Sequence, residues 1–321
     1  MDKKDLRIIY MGTPEFAVES LGQLVTNGYN VVGVVTMPDK PGGRGQKIRF
    51  SPVKEYALAH GLPLLQPVSL KDESFLAELK SLEADLQIVV AFRMLPQVVW
   101  GMPRLGTFNL HASLLPKYRG AAPINWAIIN GETETGLTTF FLEQGMDTGK
   151  VIRQVHVPIS ETDDAGVLHD RLMLEGGKLV LETVEAILKG EVRPVAQAEL
   201  APETAPTPAP KIFKETCQID WTLPGKRVYD FIRGLSPYPA ARTAIHNQKG
   251  EPVELKVYTS RFIPSAVNPD VKAGTWQTDG KKYLRFAVSD GYVELLSVQQ
   301  PGKRRMDIEE FLRGFTPGAC E

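Results

Sequence analysis

Cysteine is scarce in this chain. Cys217 and Cys320 are the only two in 321 residues, far apart and outside any C-x-x-C spacing. That argues against a disulfide-stapled scaffold and against a cysteine zinc site, and no other metal-ligand spacing stands out. Long apolar runs are missing too. The opening "MDKKDLRIIYMGTP" turns apolar too briefly for a signal peptide or a bilayer span, so a cytoplasmic protein with no membrane partner is expected. An excess of charge of either sign is also lacking. The formal net charge is −1, so nothing pulls the whole molecule toward nucleic acid, and any polyanion site has to be a local patch. The first strand-helix turn, "YMGTPEFA", has one glycine where a dinucleotide fingerprint needs three, which disfavours a nicotinamide-linked oxidoreductase. There is no G-x-S-x-G, and neither cysteine has a placed partner, so serine or cysteine nucleophilic chemistry has no support.

What the chain does contain is an alternation of short β-branched runs with helical patterns. "LRIIYM", "NVVGVVT", "LQIVVAF" and "GTFNLH" read as buried strands, and "PEFAVESLGQLVTNG" as a helix stopped at Gly28. "SPVKEYALAHG" reads as a helix with Ser51 as N-cap, Pro52 in the first position and Gly61 after the end. Such alternation predicts an α/β fold with a doubly wound parallel sheet, whose ligands sit at the carboxyl ends of the strands. A long helix is expected from about Asp164 to Lys189. Residues 191–210 then carry prolines at 194, 202, 206, 208 and 210 and read as an extended linker. From residue 211 onward, runs such as "VELKVYTS" and "YVELLSVQQ" predict a small, mostly β second domain.

Two stretches carry chemistry. Asn109 and His111 are two apart, so they share one face of the strand that ends there. In "LEQGMDTGKV", Asp147 lies between Gly145 and Gly149, where the chain can turn tightly and approach a ligand. An aspartate in a glycine-rich turn most often builds the turn itself. Beside a histidine it gains a second use, because a carboxylate orients an imidazole and favours its charged form. Asn, His and Asp offer no strong nucleophile. They can donate to a developing oxyanion and relay protons, which suits acyl transfer to an amine that is itself the nucleophile.

The runs "RIIYMGTPEFA", "PDKPGGRGQK", "SPVK", "QPVSL", "NLHASLLPKYRGAAPI", "GMDTGKV", "IDW", "YPAAR" and "PGKRRM" span nearly the whole chain. Together they resemble the formyltransferase family that uses 10-formyltetrahydrofolate, and within it the branch whose acceptor is initiator methionyl-tRNA. The resemblance implies a Rossmann-like catalytic domain with a mainly parallel sheet over residues 1–190, the Pro-rich linker over 191–210, and an OB-like β-barrel for tRNA over 211–321. It matches Asn109, His111 and Asp147 to the catalytic residues, and Ser113, Leu114, Leu115 and Pro116 to the folate-binding segment. It marks the glycine-rich basic segment with Lys40, Arg44, Lys47 and Arg49 as a contact for the tRNA acceptor end. Lys303, Arg304 and Arg305 are further phosphate-contact candidates, as are Lys211 and Lys214. Phe16 is a candidate for a methionine pocket and is equally explicable as core. The resemblance implies no metal, and a monomer is expected. One departure concerns "AFRMLP": the family commonly has a longer Ala-Tyr-Gly run there, and Arg93 stands where a glycine is expected beside the folate pterin. A formyltransferase acting on UDP-aminosugars with the same carrier remains an alternative, as does a non-catalytic tRNA-binding protein on this scaffold. The latter would not need Asn109, His111 and Asp147 together.

Overall fold

The run Arg7–Gly12 is buried along almost its whole length, and it lies inside a seven-stranded sheet of the computed structural model. A strand covered on both faces by helices is apolar throughout rather than alternating, which is why "RIIYM" reads as a continuous apolar run. The structure describes residues 2–42, 47–200, 206–265, 271–316 and 318. The strand order is Val151–Pro158, Glu134–Phe141, Thr107–His111, Leu86–Val90, Arg7–Gly12, Asn30–Val35 and Leu64–Leu65. The five strands from Thr107–His111 to Leu64–Leu65 pair in parallel, and Glu134–Phe141 pairs antiparallel with Thr107–His111. From Arg7–Gly12 the chain first builds outward to Asn30–Val35 and later returns on the other side to Leu86–Val90. The order therefore reverses at Arg7–Gly12, and the carboxyl ends at Gly12, Val90 and His111 face the crevice where such sheets hold ligands.

The expected helices form. Ser51 caps Pro52–Ala59 by accepting from the Lys54 amide at 3.1 Å. The long helix runs Ala165–Lys189 and buries Leu168, Leu172, Val180 and Val184. Gly176 on this helix receives Leu110: a Cβ there would stand 2.9 Å from a Leu110 methyl. That contact fixes which face of the Thr107–His111 strand looks toward the helix, and it leaves Asn109 and His111 on the opposite face.

The chain divides into two compact units, one of residues 1–120, 135–157 and 169–208, the other of residues 121–134, 158–168 and 209–321. In the second unit, Ala241–His246, Pro252–Pro264, Gly291–Gln299, Leu284–Val288 and Trp276–Thr278 form an antiparallel sheet in that order. Register shifts around Thr259 bend the long Pro252–Pro264 strand, as bulges do, and curl the sheet. Its core packs Leu255, Val257, Phe286 and Val293 with Val228 and Ile232 of the helix Gly225–Gly234. Two earlier segments of the chain, residues 121–134 and 158–168, join this unit. Ile129 is buried in its core, and the Asn125 side chain donates to the Gly234 carbonyl at 2.7 Å.

Candidate active site

The Thr107–His111 strand places Asn109 opposite Val89 on one neighbour and Phe140 on the other. Two residues on, His111 ends the strand and is only 6% exposed. Its Nε2–H donates to the Tyr118 carbonyl at 2.8 Å, and its Nδ1 faces Asp147 Oδ2 at 3.9 Å. Asn109 is half-buried, and among the described residues its side chain makes no hydrogen bond. The structure thus sets Asp147 against His111, and Asn109 stands two residues before His111 on the same face of the strand.

Asp147 is held in a left-handed backbone conformation, φ 53°, which aspartate tolerates better than most residues. Its Oδ2 accepts from the Gly120 amide at 3.0 Å. Gly149 can only be glycine, since a Cβ there would lie 1.7 Å from the Phe141 carbonyl oxygen. The glycine spacing around Asp147 therefore reflects a close approach to the sheet as well as a tight turn.

The Ser113–Pro116 segment forms a braced wall. Ser113 Oγ–H donates to the Lys117 carbonyl at 2.7 Å, and Thr138 Oγ1 donates to the Ser113 carbonyl at 2.7 Å. The Leu115 amide donates to Thr138 Oγ1 at 3.2 Å, and Gln154 Nε2 donates to the Leu115 carbonyl at 2.9 Å. Ser113, Leu115 and Pro116 are buried, and Leu114 alone of the four is partly exposed. Phe16 is buried at the start of its helix, edge-on to His169 at 5.3 Å between ring centres.

The basic glycine-rich segment begins and ends in a two-stranded antiparallel ribbon that pairs Lys40 with Arg49 and Gly42 with Lys47. Arg44 lies outside the described residues, only the backbone of Lys40 and Lys47 is described, and Arg49 is exposed. At the foot of this ribbon is a polar cluster that sequence reading missed. Lys54, 8% exposed, donates to Asp39 at 2.5 Å and to Gln66 Oε1 at 2.9 Å. Gln66 Nε2 in turn donates to the Met37 carbonyl at 2.9 Å and to Asp39 Oδ1 at 3.0 Å. The bond from Lys54 and then that from Gln66 hold the Asp39 carboxyl below its ordinary range. The only signal in the sequence was a lysine on the helix of "SPVK", where a solvated position was equally plausible.

In the second unit Lys303, Arg304 and Arg305 are exposed. Arg304 is bonded to Glu310 at 2.5 Å, and Arg305 donates to Ser297 Oγ at 2.8 Å while stacking over Tyr258. A groove of about 290 Å³ in this unit is lined by Lys214, Arg242, Glu254 and Lys256 and by residues 299–302, with Arg242 paired to Glu254.

Comparisons with known proteins identify the family over both halves of the chain. Residues 6–184 match the family described as formyl transferase, and residues 211–316 match the formyl transferase C-terminal domain. A methionyl-tRNA formyltransferase of Bacteroides thetaiotaomicron is 65% identical over 315 residues, covering 98% of this chain and 97% of that protein. The chain belongs to the methionyl-tRNA formyltransferase family. Another methionyl-tRNA formyltransferase, of Parabacteroides distasonis, is 60% identical over 317 residues, covering 98% of this chain and 97% of that protein. An N-formyltransferase from Helicobacter canadensis, solved in complex with folinic acid and dTDP-3-aminofucose, shares the fold with a TM-score of 0.66 at 20% identity. It covers 94% of this chain and all of that one. As a member of the methionyl-tRNA formyltransferase family, the chain has a Rossmann-like formyltransferase domain and a C-terminal curled sheet of small-barrel type.

Proposed function

We propose that Asn109, His111 and Asp147 carry formyl transfer from 10-formyltetrahydrofolate to the free amine of initiator methionyl-tRNA, the reaction that prepares it for translation initiation. The chain is an enzyme of this activity by its family, and the observation that carries the residue assignment is Asp147 set opposite His111 at the carboxyl end of the strand that bears Asn109 on the same face. As the methionyl amine bonds to the formyl carbon, the carbonyl oxygen becomes an oxyanion. The Asn109 amide, which has no partner among the described residues, donates to it, and His111 donates from Nδ1, because Nε2 is committed to Tyr118. The bond from the formyl carbon to folate N10 then breaks, and the proton lost by the amine is taken up by the Asp147 carboxylate and passed to N10. The buried Ser113–Pro116 wall shapes the carrier's side of the site, with Leu114 as its exposed element.

The tRNA is read as held by local basic strips: Lys40, Arg44, Lys47 and Arg49 in the glycine-rich segment of the sequence, and Lys303 to Arg305 in the C-terminal domain. Residues 1–190 are read as the catalytic domain, 191–210 as the connector and 211–321 as the tRNA-binding domain. Among the described residues no helix is long and apolar enough to cross a membrane, and a cytoplasmic monomer fits this reading. Phe16 is kept as a candidate wall of the methionine pocket. The deciding assay offers 10-formyltetrahydrofolate with either charged initiator tRNA or a UDP-aminosugar. Formylation of the tRNA, with tRNA affinity falling steeply as salt rises, is expected; formylation of the sugar alone, or a flat salt response, would overturn the reading.

A further inference from the structure

Gln197 lies in the Pro-rich segment that composition marked as a connector, yet it is buried, 4% exposed, at the start of a short helix Gln197–Leu200. Its single amide makes four hydrogen bonds. Oε1 accepts from Arg119 Nε at 3.1 Å and from a terminal guanidinium nitrogen of Arg119 at 2.6 Å. Nε2 donates to the Asp147 carbonyl at 2.8 Å and to the Gly149 carbonyl at 2.9 Å. The partners themselves fix the amide's orientation: turned over, it would set an NH₂ against a guanidinium and an oxygen against two carbonyls.

These bonds close a circuit around the site. Tyr118, Arg119 and Gly120 are consecutive, and each reaches a different member of the circuit. The Tyr118 carbonyl accepts from His111, the Arg119 side chain grips Gln197, and the Gly120 amide donates to Asp147 Oδ2. Gln197 ties the other side of the Asp147 turn at two carbonyls. The segment is seated by a two-bond bridge between Val195 and Val151, at 2.8 and 2.9 Å, and by the Arg119 amide donating to the Thr207 carbonyl at 3.0 Å.

We infer that Gln197 is a positioning residue for formyl transfer, which locks the left-handed Asp147 turn so that the carboxylate stays opposite His111. The inference rests on the role proposed above for Asp147. A primary amide is the side chain that can both accept from a guanidinium fork and donate to two carbonyls, so a glutamate of the same size keeps the two bonds from the fork and loses the two to the carbonyls.

The test is steady-state formylation of methionyl-tRNA by the full-length protein carrying Gln197→Glu, Gln197→Met, Asp147→Ala, or Asp147→Ala with Gln197→Glu. Gln197→Met, an apolar mimic of similar shape, is assayed alongside so that at least one soluble, folded variant is measured. Each Gln197 variant is expected to lower kcat by about 10- to 100-fold, the scale of an ångström-size misplacement. The KM for methionyl-tRNA should stay within about twofold, because the substrate contacts are left in place. In the Asp147→Ala background, Gln197→Glu should add no further loss, since the two act as one unit. Unchanged kcat in the Gln197 variants, or losses that multiply in the double variant, would overturn the inference while leaving the Asp147 assignment intact. Near-normal turnover by Asp147→Ala would instead sink the underlying reading.

Discussion

Replacing Gly149 with alanine probes how tightly the Asp147 turn is fitted to the sheet. The added methyl would start 1.7 Å from the Phe141 carbonyl oxygen and 2.9 Å from its carbon, with the Phe140 ring at 3.2 Å. Real carbon–oxygen contacts are nearly twice the first distance, so one side has to retreat by more than an ångström. Phe141 is poorly placed to move. It ends a strand paired to Phe108, its amide is bonded to the Lys150 carbonyl at 3.0 Å, and the next amide is bonded to Thr107 at 2.8 Å. The turn therefore yields, and the Asp147 carboxylate and the two carbonyls that Gln197 holds yield with it. Overpacking of this kind costs about 1–3 kcal/mol of stability. An ångström of displacement at a catalytic group costs about 10² in rate. Single-turnover formylation with saturating methionyl-tRNA, run beside thermal unfolding, should show both losses. A lowered Tm with wild-type turnover would refute the link between this turn and the chemistry. An unchanged Tm would refute the close approach itself.

Asn109→Ala should separate rate from stability in the opposite way. Its side chain bonds nothing among the described residues, so Tm should hold while kcat falls by about 10²–10³, the scale for one lost oxyanion donor; a parallel fall in Tm would argue for a structural role instead. Asp230→Ala removes the carboxylate that accepts from Lys226 at 2.6 Å and from Arg233 Nε at 2.7 Å, leaving Arg233, itself 6% exposed, buried without a counter-charge. Urea unfolding of the C-terminal signal should report a loss of about 3–5 kcal/mol, and a loss near zero would contradict a buried pair. Asp39 has a folded pKa held down by Lys54 and Gln66, so its contribution is present above the unfolded carboxylate pKa and fades as pH falls through the folded value. The stability difference between wild type and Asp39→Asn should therefore be flat from pH 8 to about pH 5 and shrink only in stronger acid, below the unfolded aspartate value of about 3.9; a change centred near neutrality would exclude Asp39 as its source.

Which of these groups could be read from the chain follows from the range of the forces that place them. Asn109 and His111 were legible because the two-residue period of a strand puts them on one face whatever the tertiary structure does. The Ser51 cap and the Gly61 stop were legible for the same reason, since a cap is made within one turn. Asp147 was recognisable by its glycines, although half of their purpose, the clearance of Phe141, depends on a strand that pairs elsewhere. Gln197 gave no local signal, and Lys54 none beyond its place on a helix. Each is an ordinary polar residue whose partners lie beyond its own element, 12 and 15 residues away for Lys54 and 48 to 78 for Gln197, and become neighbours only when the sheet closes. Residues 121–134 and 158–168 were hidden differently. They interrupt the α/β alternation without breaking its pattern; the burial of Ile129 and the bond from Asn125 to Gly234 show which core the first serves, and the bonds from Arg233 to the Ser160 and Asp163 carbonyls show the same of the second.

The departure at "AFRMLP" can be argued from the same contacts. Where a glycine would supply freedom, this chain has Arg93, and the left-handed backbone position falls on Ala91 instead, at φ 47°. A non-glycine residue there costs on the order of 1–2 kcal/mol, so something else has to hold the segment. The Arg93 guanidinium does so: it donates to the Val68 carbonyl at 2.8 Å and to the neighbouring Pro67 carbonyl. Pro67 and Val68 belong to "QPVSL", the run that follows Leu64–Leu65, while Arg93 follows Leu86–Val90. One side chain thus ties together the loops leaving two strands of the sheet at their carboxyl ends. Burial lowers the guanidinium pKa from its ordinary value, and Nε is buried with no partner among the described residues, so the fork to the two carbonyls has to outweigh a desolvation cost. A side-chain tether therefore fixes this loop, and Arg93 is directed along the rim of the sheet into the adjoining loop.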